Sequence, residues 1–245
     1  MDRVDKKIKL FNEILLFVNS YSFQRGKTNF NLKKEAVYIY SYKERIVSLS
    51  EGCLLLFKTR NYIETQILSR SALETLFYML SLINDPGFLR VLIKDHTKQK
   101  IKMFNDLNNN KDVALKFKLT NETLKQYLLD LSSQIESFNE VSDMEAKEAA
   151  KKADLLNMYM SSYRLLSLAT HSKAFIIQEG FSYDKNKFSF KKEQKKLLAM
   201  NALDTLIPVL LLMSFTLVSY AAINDVKTEK ILKEFQKEYE AFTKK

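Results

Sequence analysis

Glycine and proline are nearly missing from this chain: four glycines and two prolines stand among 245 residues. Together they make up about 12% of an average protein. They are also the ordinary means of turning a chain, glycine by reaching positive φ and proline by fixing φ and removing an amide donor. A fold of many short strands and tight turns is therefore excluded, and long helices joined by few connections are expected.

The hydrophobic pattern agrees. Apolar residues recur at three- and four-residue spacing over residues 5–19, 32–58, 61–84, 87–107, 121–138, 143–179, 191–223 and 227–243, which is the period of one helix face. The breaks carry turn chemistry: the polar stretch from Ser20 to Asn31, Asp85-Pro86-Gly87, and Asn108-Asn109-Asn110, where side chains offer the backbone an alternative to helix. Ser142 and Glu145 have the spacing of a capping box ahead of the 143–179 region. From Gly180 to Phe190 apolar and polar residues alternate around Asp-Lys-Asn. This could form a small hairpin but lacks a favoured turn pair, so the segment is read as an ordered loop. No repeat or low-complexity linker marks a boundary. The expectation is one all-α domain over residues 1–245, a compact bundle of about seven or eight helices. Its core falls near 32–223, with a C-terminal helix over 224–243.

Thr205 to Ile223 is a run of 19 residues without a charge, long enough to cross a bilayer. Lysines lie on both sides of it, so no charge asymmetry sets an orientation. Its Ser, Thr, Tyr and Pro content, and the other apolar faces that need a partner, suit the central helix of a bundle, which is the preferred reading over a membrane span. Pro208 is expected to kink or begin that helix.

The net charge is +10 and the pI near 9.4, a balance that favours contact with nucleic acid or an anionic surface. The lysines are spread, however, with clusters at Lys151-Lys152, Lys191 to Lys196 and the tail, and solubilising faces account for them equally well. A single cysteine, Cys53, excludes an internal disulfide framework, suits a reducing cytoplasm and reads as a core filler. The first residues thread charges through their apolar positions, the pattern of an amphipathic helix and not of a secretory signal.

Only two histidines are present, His96 and His171. His171 closes the stretch SSYRLLSLATHSKAF, in which Arg164, Ser167 and His171 stand at i, i+3 and i+7, within about 60° of one another on a helix. Tyr163 adds a hydroxyl one turn before Ser167. Such a face suits phosphate: guanidinium presents a planar fork of donors, and imidazole exchanges a proton near neutral pH. In RNA cleavage imidazole would move the proton and guanidinium would stabilise charge developing at phosphorus. The competing reading is a packing seam in which each polar group is satisfied across the bundle. Arg70 and Glu74, at i and i+4 in ILSRSALETLFYML, sit among apolar residues. Charges there are costly to desolvate unless paired, so they are expected either to fix register or to serve a site. Glu74 is expected to orient His171, and Arg70 to be a second phosphate ligand. His96 follows Arg90 in a second, weaker placement. No glycine-rich phosphate loop, cysteine-histidine metal cluster or serine elbow occurs. No metal or cofactor is expected.

An arginine followed after a short helical spacing by a histidine, here Arg164 and His171, resembles the HEPN superfamily, the higher eukaryotes and prokaryotes nucleotide-binding domains. Arg70-x-x-x-Glu74 with Tyr163-x-x-x-Ser167-x-x-x-His171 is also similar to a bacterial family of uncharacterised α-helical proteins placed near HEPN and abortive-infection proteins. The resemblance covers about Arg45 to Ile223. It implies a bundle that dimerises with two arginine-histidine motifs facing one cleft. It further implies a metal-independent RNase of a defence or toxin–antitoxin system, or a relative that only binds or scaffolds. On that resemblance Arg164 and His171 would be catalytic and Ser167 would line the cleft. RNA, a second copy of the chain and a protein from the same defence operon would be its partners, in the cytoplasm. Leu165 stands where active members often carry a polar residue, and roughly 70 residues follow the motif.

Overall fold

The computed structural model describes residues 2–20, 34–116, 120–170, 181–184, 187–190, 192–220 and 226–243. They form an all-α bundle with one small hairpin. The helices are α1 (Arg3–Ser20), α2 (Lys34–Lys58), α3 (Tyr62–Asn84), α4 (Phe88–Asn109), α5 (Lys111–Lys116), α6 (Asn121–Glu136) and α7 (Ala146–Lys152). A single turn (Leu156–Met158) and a π-helical turn (Tyr159–Tyr163) lead into α8 (Arg164–Thr170). Strands β1 (Phe181–Asp184) and β2 (Lys187–Phe190) follow, then α9 (Lys192–Tyr220) and α10 (Val226–Thr243).

Helix α3 is the hub, packing against α2, α9, α7 and α8. Its buried positions Ala72, Leu73, Leu76, Phe77, Met79 and Leu80 leave only one edge of the helix open. Helix α9 completes the core: Ala199, Ala202, Leu203, Leu206, Ile207, Val209, Leu210 and Met213 are all fully buried. Each large apolar side chain so buried stabilises the fold by about 1.5–3 kcal/mol before chain entropy is counted. Over Gln194–Tyr220 this helix is long and apolar enough to cross a membrane by composition, and 61% of its most apolar 18-residue window is buried inside the bundle. The stretch from Thr205 to Ile223, read as the central helix of a bundle, is helical and packed in the core as far as Tyr220; residues 221–223 lie outside the described residues.

Pro208 sits inside α9 and does not begin it. Its missing N–H leaves the carbonyl of Asp204, four residues earlier, without its helical donor. The Tyr239 hydroxyl on α10 donates to that carbonyl at 3.2 Å. The Asp204 side chain pairs with Lys7 of α1, whose ammonium also lies 5.7 Å from the Tyr239 ring centre. One proline thus creates the acceptor by which α10 is fastened to α9.

Three local expectations are corrected. The 143–179 region is not one helix: α7 ends at Lys152, and Asp154 turns the chain with φ 58°. The Asp154 amide donates to Lys151 O and the Leu155 amide to Ala150 O, at 3.1 and 2.8 Å, which is a Schellman closure with aspartate where glycine is usual. Arg60 closes α2 in the same way at φ 60°. The capping box does not form, because the helix starts three residues later than expected and Glu145 is itself the extended residue before α7; Asp143, between Ser142 and Glu145, pairs with Lys94 and Lys98 at 3.0 and 2.5 Å. Finally, the ordered loop of 180–190 contains an antiparallel hairpin with Phe181 opposite Phe190 and Asp184 opposite Lys187. The period-2 alternation of its aromatic residues carries the pairing despite the weak turn sequence.

Candidate functional site

The site lies where α8 crosses the open edge of α3. Arg70 and Glu74 stand one turn apart on that edge, with side chains 21% and 25% exposed. The guanidinium is spread over three partners: Nε donates to Ser167 Oγ at 3.0 Å, Nη2 donates to Tyr163 OH at 2.5 Å, and Nη2 lies 3.5 Å from Glu74 Oε2. Its carbon also sits 4.7 Å from the centre of the Tyr163 ring, a cation–π contact. Tyr163 OH donates in turn to Glu74 Oε2 at 3.1 Å, and Tyr78 OH to Glu74 Oε1 at 2.8 Å. Both carboxylate oxygens of Glu74 are therefore engaged, while Nη1 of Arg70 meets no acceptor among the described residues.

The local fold explains this aim. The π-helical turn widens the chain just before α8, the Arg164 amide reaching back to Tyr159 O; such turns recur at functional sites. It sets Tyr159 against Tyr163 with centroids 5.0 Å apart and planes 20° apart. Phe77 lies under Tyr163 at 5.9 Å, so the ring that bears the bridging hydroxyl is fixed from two sides. Ser167 Oγ donates to Tyr163 O at 2.8 Å and keeps a lone pair for Arg70. Burial pushes the Tyr163 phenol up to about 12, Glu74 adding to the rise and Arg70 opposing it. Burial, then Glu74, raises Tyr78 as well. Both hydroxyls stay protonated at neutral pH and serve as donors.

Of the residues expected from sequence, the structure brings together Arg70, Glu74, Tyr163 and Ser167. Arg164 it leaves exposed. On α8 Ser167 lies angularly between Tyr163 and Arg164, and the helix packs on its Tyr163 side, with Tyr163 and Leu166 buried. Arg164 is thereby turned to solvent. His171, and with it the expected contact to Glu74, lies outside the described residues. His96 is exposed on α4, and Arg90 reaches Ser137 O at 3.4 Å.

Two residues that the sequence reading missed adjoin the site. Tyr78 extends the Arg70–Glu74 row by a further turn, a spacing visible in sequence once that row is taken as the open edge. Tyr42 on α2 lies 6.4 Å from the Tyr78 ring, a juxtaposition no local pattern signals. Cys53 is fully buried, and burial raises its thiol to about 12, so it packs as an inert side chain. Among the described residues no group of three or more His, Cys, Asp or Glu could hold a metal ion. A surface depression of about 410 Å³ on the far half of α4, lined by Gln99, Lys102, Met103, Asp106, Leu107 and Asn110, includes none of these residues.

Fold and site together define an all-α bundle with a half-buried arginine–glutamate–tyrosine–serine seam between two of its helices. The chain belongs to a family of unknown function (DUF5677), whose model matches residues 37–189, more than half of the chain. That stretch holds every seam residue and omits α1, α9 and α10. No curated protein and no solved structure matches the chain.

Proposed function

We propose that the seam between α3 and α8 is the phosphate-binding part of an RNA-binding, metal-independent endoribonuclease of a bacterial defence or toxin–antitoxin system. The observation that carries this reading is Arg70: a half-exposed guanidinium, positioned by Tyr163 and Ser167, with the hydrogens of Nη1 unpartnered among the described residues. Preorganised donors of this kind need no rearrangement when an anion arrives. Arg164, exposed and one turn before Ser167, would contact the phosphate backbone from the rim. His171 would exchange the proton, in keeping with the resemblance of Arg164 and His171 to the HEPN motif. A homodimer in the cytoplasm, with a partner protein from the same operon, belongs to the same reading.

The second reading is a noncatalytic interaction protein whose seam fixes the register of α8 on α3. It is favoured by the closure of the network, in which Tyr163, itself 7% exposed, bridges both charges.

One experiment separates the two. Purified protein is incubated in EDTA with total RNA and labelled tRNAs, beside Arg70→Ala, Arg164→Ala and His171→Ala variants, each checked by thermal melting. Cleavage by the parent that Arg70→Ala and His171→Ala lose while melting close to the parent supports the nuclease. No cleavage, with Arg70→Ala melting far earlier, overturns it in favour of the packing seam. Sedimentation without detergent tests in the same preparation whether α9 holds the protein on a membrane.

A further inference from the structure

The open edge of α3 is wider than the seam. Between α8 on one flank and α2 on the other, Arg70, Ser71, Glu74, Thr75 and Tyr78 are all half-buried, whereas Ala72, Leu73, Leu76 and Phe77 are fully covered. Arg70 and Thr75 stand at the two margins of this edge, about 140° apart around the helix. Arg70 belongs to the α8 margin through Ser167 and Tyr163. The α2 margin is fixed by two contacts. Gly52 lies so near Leu68 that a Cβ there would stand 3.0 Å from Leu68 Cδ1, and the rings of Tyr42 and Tyr78 are centred 6.4 Å apart. Helix α2 therefore runs antiparallel beside the edge, with position 52 level with 68 and position 42 level with 78. Arg45 is thereby set level with Thr75, and, standing seven residues before Gly52, it shares the face of α2 that turns to Leu68. Its side chain is exposed and makes no hydrogen bond or ion pair among the described residues.

The floor between the margins has a definite polarity. Ser71 Oγ donates to Ile67 O at 3.2 Å, and Thr75 Oγ1 donates to Ser71 O at 2.7 Å. A hydroxyl has one hydrogen, so both protons are spent inside the helix and only lone pairs are left for a ligand. Glu74 is an acceptor as well, already occupied by the hydroxyls of Tyr163 and Tyr78. An acceptor floor between two cationic margins suits a ligand with anionic groups at intervals and hydroxyl donors between them. A ribonucleotide strand has that chemistry, with a phosphate at each linkage and a 2′-hydroxyl on each sugar, and a deoxyribonucleotide strand lacks the donor. The Glu74 charge at mid-floor acts in the same direction, since it favours a sugar over a phosphate there.

We propose that one RNA strand crosses the open edge of α3 from α8 to α2, with Arg70 and Arg45 on different phosphates and Ser71 and Thr75 accepting from 2′-hydroxyls. The proposal rests on the reading of Arg70 as a phosphate ligand. It adds the direction the strand takes from that residue and the groups that tell ribose from deoxyribose. The dimensions suit it. From Arg70 to the level of Arg45 the helix advances five residues, about 7.5 Å, and the axes of two packed helices lie about 8–10 Å apart. The two guanidinium groups are thus too far apart to share one phosphate and near enough to hold the same strand.

Equilibrium binding tests this apart from cleavage. Fluorescence anisotropy on the full chain, in EDTA, uses one short single strand of mixed sequence in ribo, deoxy and 2′-fluoro forms. The 2′-fluoro strand keeps an RNA-like sugar and lacks the hydroxyl donor. If the ribo strand is cut, the titrations are made in the His171→Ala protein. The ribo form is expected to bind roughly tenfold tighter than the other two, the effect of two hydrogen bonds. Ser71→Ala with Thr75→Val should bring the three forms level by weakening the ribo form alone. Arg45→Ala should weaken all three alike and reduce the slope of log affinity against log salt by about 0.7. Equal binding of the three forms by the parent, a ribo preference that survives in the folded Ser71→Ala, Thr75→Val protein, or an unchanged salt slope in Arg45→Ala overturns the path. RNA binding that needs Arg70 but is indifferent to Arg45, Ser71 and Thr75 overturns it too and leaves the nuclease reading standing. Ribo-selective binding that these residues control, by a protein that cuts no RNA, upholds the path and defeats the nuclease reading. Binding of no strand overturns both.

Discussion

Two clusters in this molecule are built from the same three groups. In the seam, Arg70 lies over the ring of Tyr163 and beside Glu74; at the other pole, Lys7 lies over the ring of Tyr239 and beside Asp204. They differ in which group is hidden. The Lys7 side chain is 1% exposed and its carboxylate 40%, so the ammonium is spent within the fold and nothing outside can reach it. In the seam both charges stay about a quarter open, and the tyrosine is the buried member. A cation enclosed by its partners is a fastener. A cation held at the surface by buried partners is available to a ligand. The division matches the family boundary, since the seam lies within residues 37–189 and the Lys7 cluster lies on helices outside them.

The largest expected effect breaks the fastener. Asp204→Ala leaves Lys7 buried without its counter-charge. A wholly buried pair would lose about 3–5 kcal/mol, and with Asp204 partly screened by solvent the expected loss is about 2–3 kcal/mol in chemical denaturation. Lys7→Met, which removes the charge and keeps the volume, should cost less than about 1 kcal/mol. If the two variants lose equally, the pair is not what joins α1 to α9.

Next in size is the proline-made acceptor. Tyr239→Phe strands the Asp204 carbonyl and is expected to cost about 1–2 kcal/mol. In a Pro208→Ala background, where residue 208 regains an amide to bond that carbonyl, the same change should cost clearly less. A double-mutant cycle measures the difference.

For the seam the expectation is inverted. Tyr163→Phe removes two hydrogen bonds from partners that water can still reach, so stability should fall by only about 1 kcal/mol. On the proposed nuclease reading, RNA cleavage should fall at least roughly tenfold through loss of Arg70 positioning. A large stability loss with unchanged activity per folded molecule would erase the contrast between the clusters.

The smallest effects are in the pH dependence of stability around α4. Asp143 is drawn down to about 2 by Lys98 and Lys94. Its contribution is present above the usual carboxylate range and is lost as pH falls toward about 2. Asp95 has the opposite sign: desolvation raises it, so its ionisation lowers stability at neutral pH and protonation in acid relieves that cost. Urea midpoints should show Asp143→Asn weaker than the parent at neutral pH and Asp95→Asn stronger, both differences vanishing in strong acid. If Asp95→Asn is the weaker protein at neutral pH, the hydrogen bond from Gln99 to the carboxylate outweighs the cost of its desolvation.

Much of this arrangement is legible in the chain. The helices α1 to α4, α6, α9 and α10 follow from the apolar period, α1, α2, α4 and α10 because each buries one stripe and α3 and α9 because they are apolar on most sides. Arg70, Glu74, Tyr163 and Ser167 stand out because charges and hydroxyls on apolar helices demand partners. The end of α7 is not legible: Asp154 takes the left-handed conformation that a reader expects of glycine, and tertiary contacts such as Ser81 Oγ to Ala149 O at 2.6 Å hold that corner. The hairpin is likewise hidden by its turn residues. The angular position of Arg164 depends on which side of α8 meets α3, which helical spacing leaves open.

The sequence by itself determined that this chain would be helical, because so few glycines and prolines interrupt it and the apolar period is that of a helix throughout. It also determined which polar residues would need partners, since desolvation cost depends on the apolar residues around them. Only the tertiary structure decided who those partners are: that Ser167 and Tyr163 turn to Arg70, that Tyr239 answers the acceptor left by Pro208, and that Tyr42 ends beside Tyr78. Each of these joins residues far apart in the chain, and such pairings are set by how whole helices pack, a sum over many side chains that no local pattern contains.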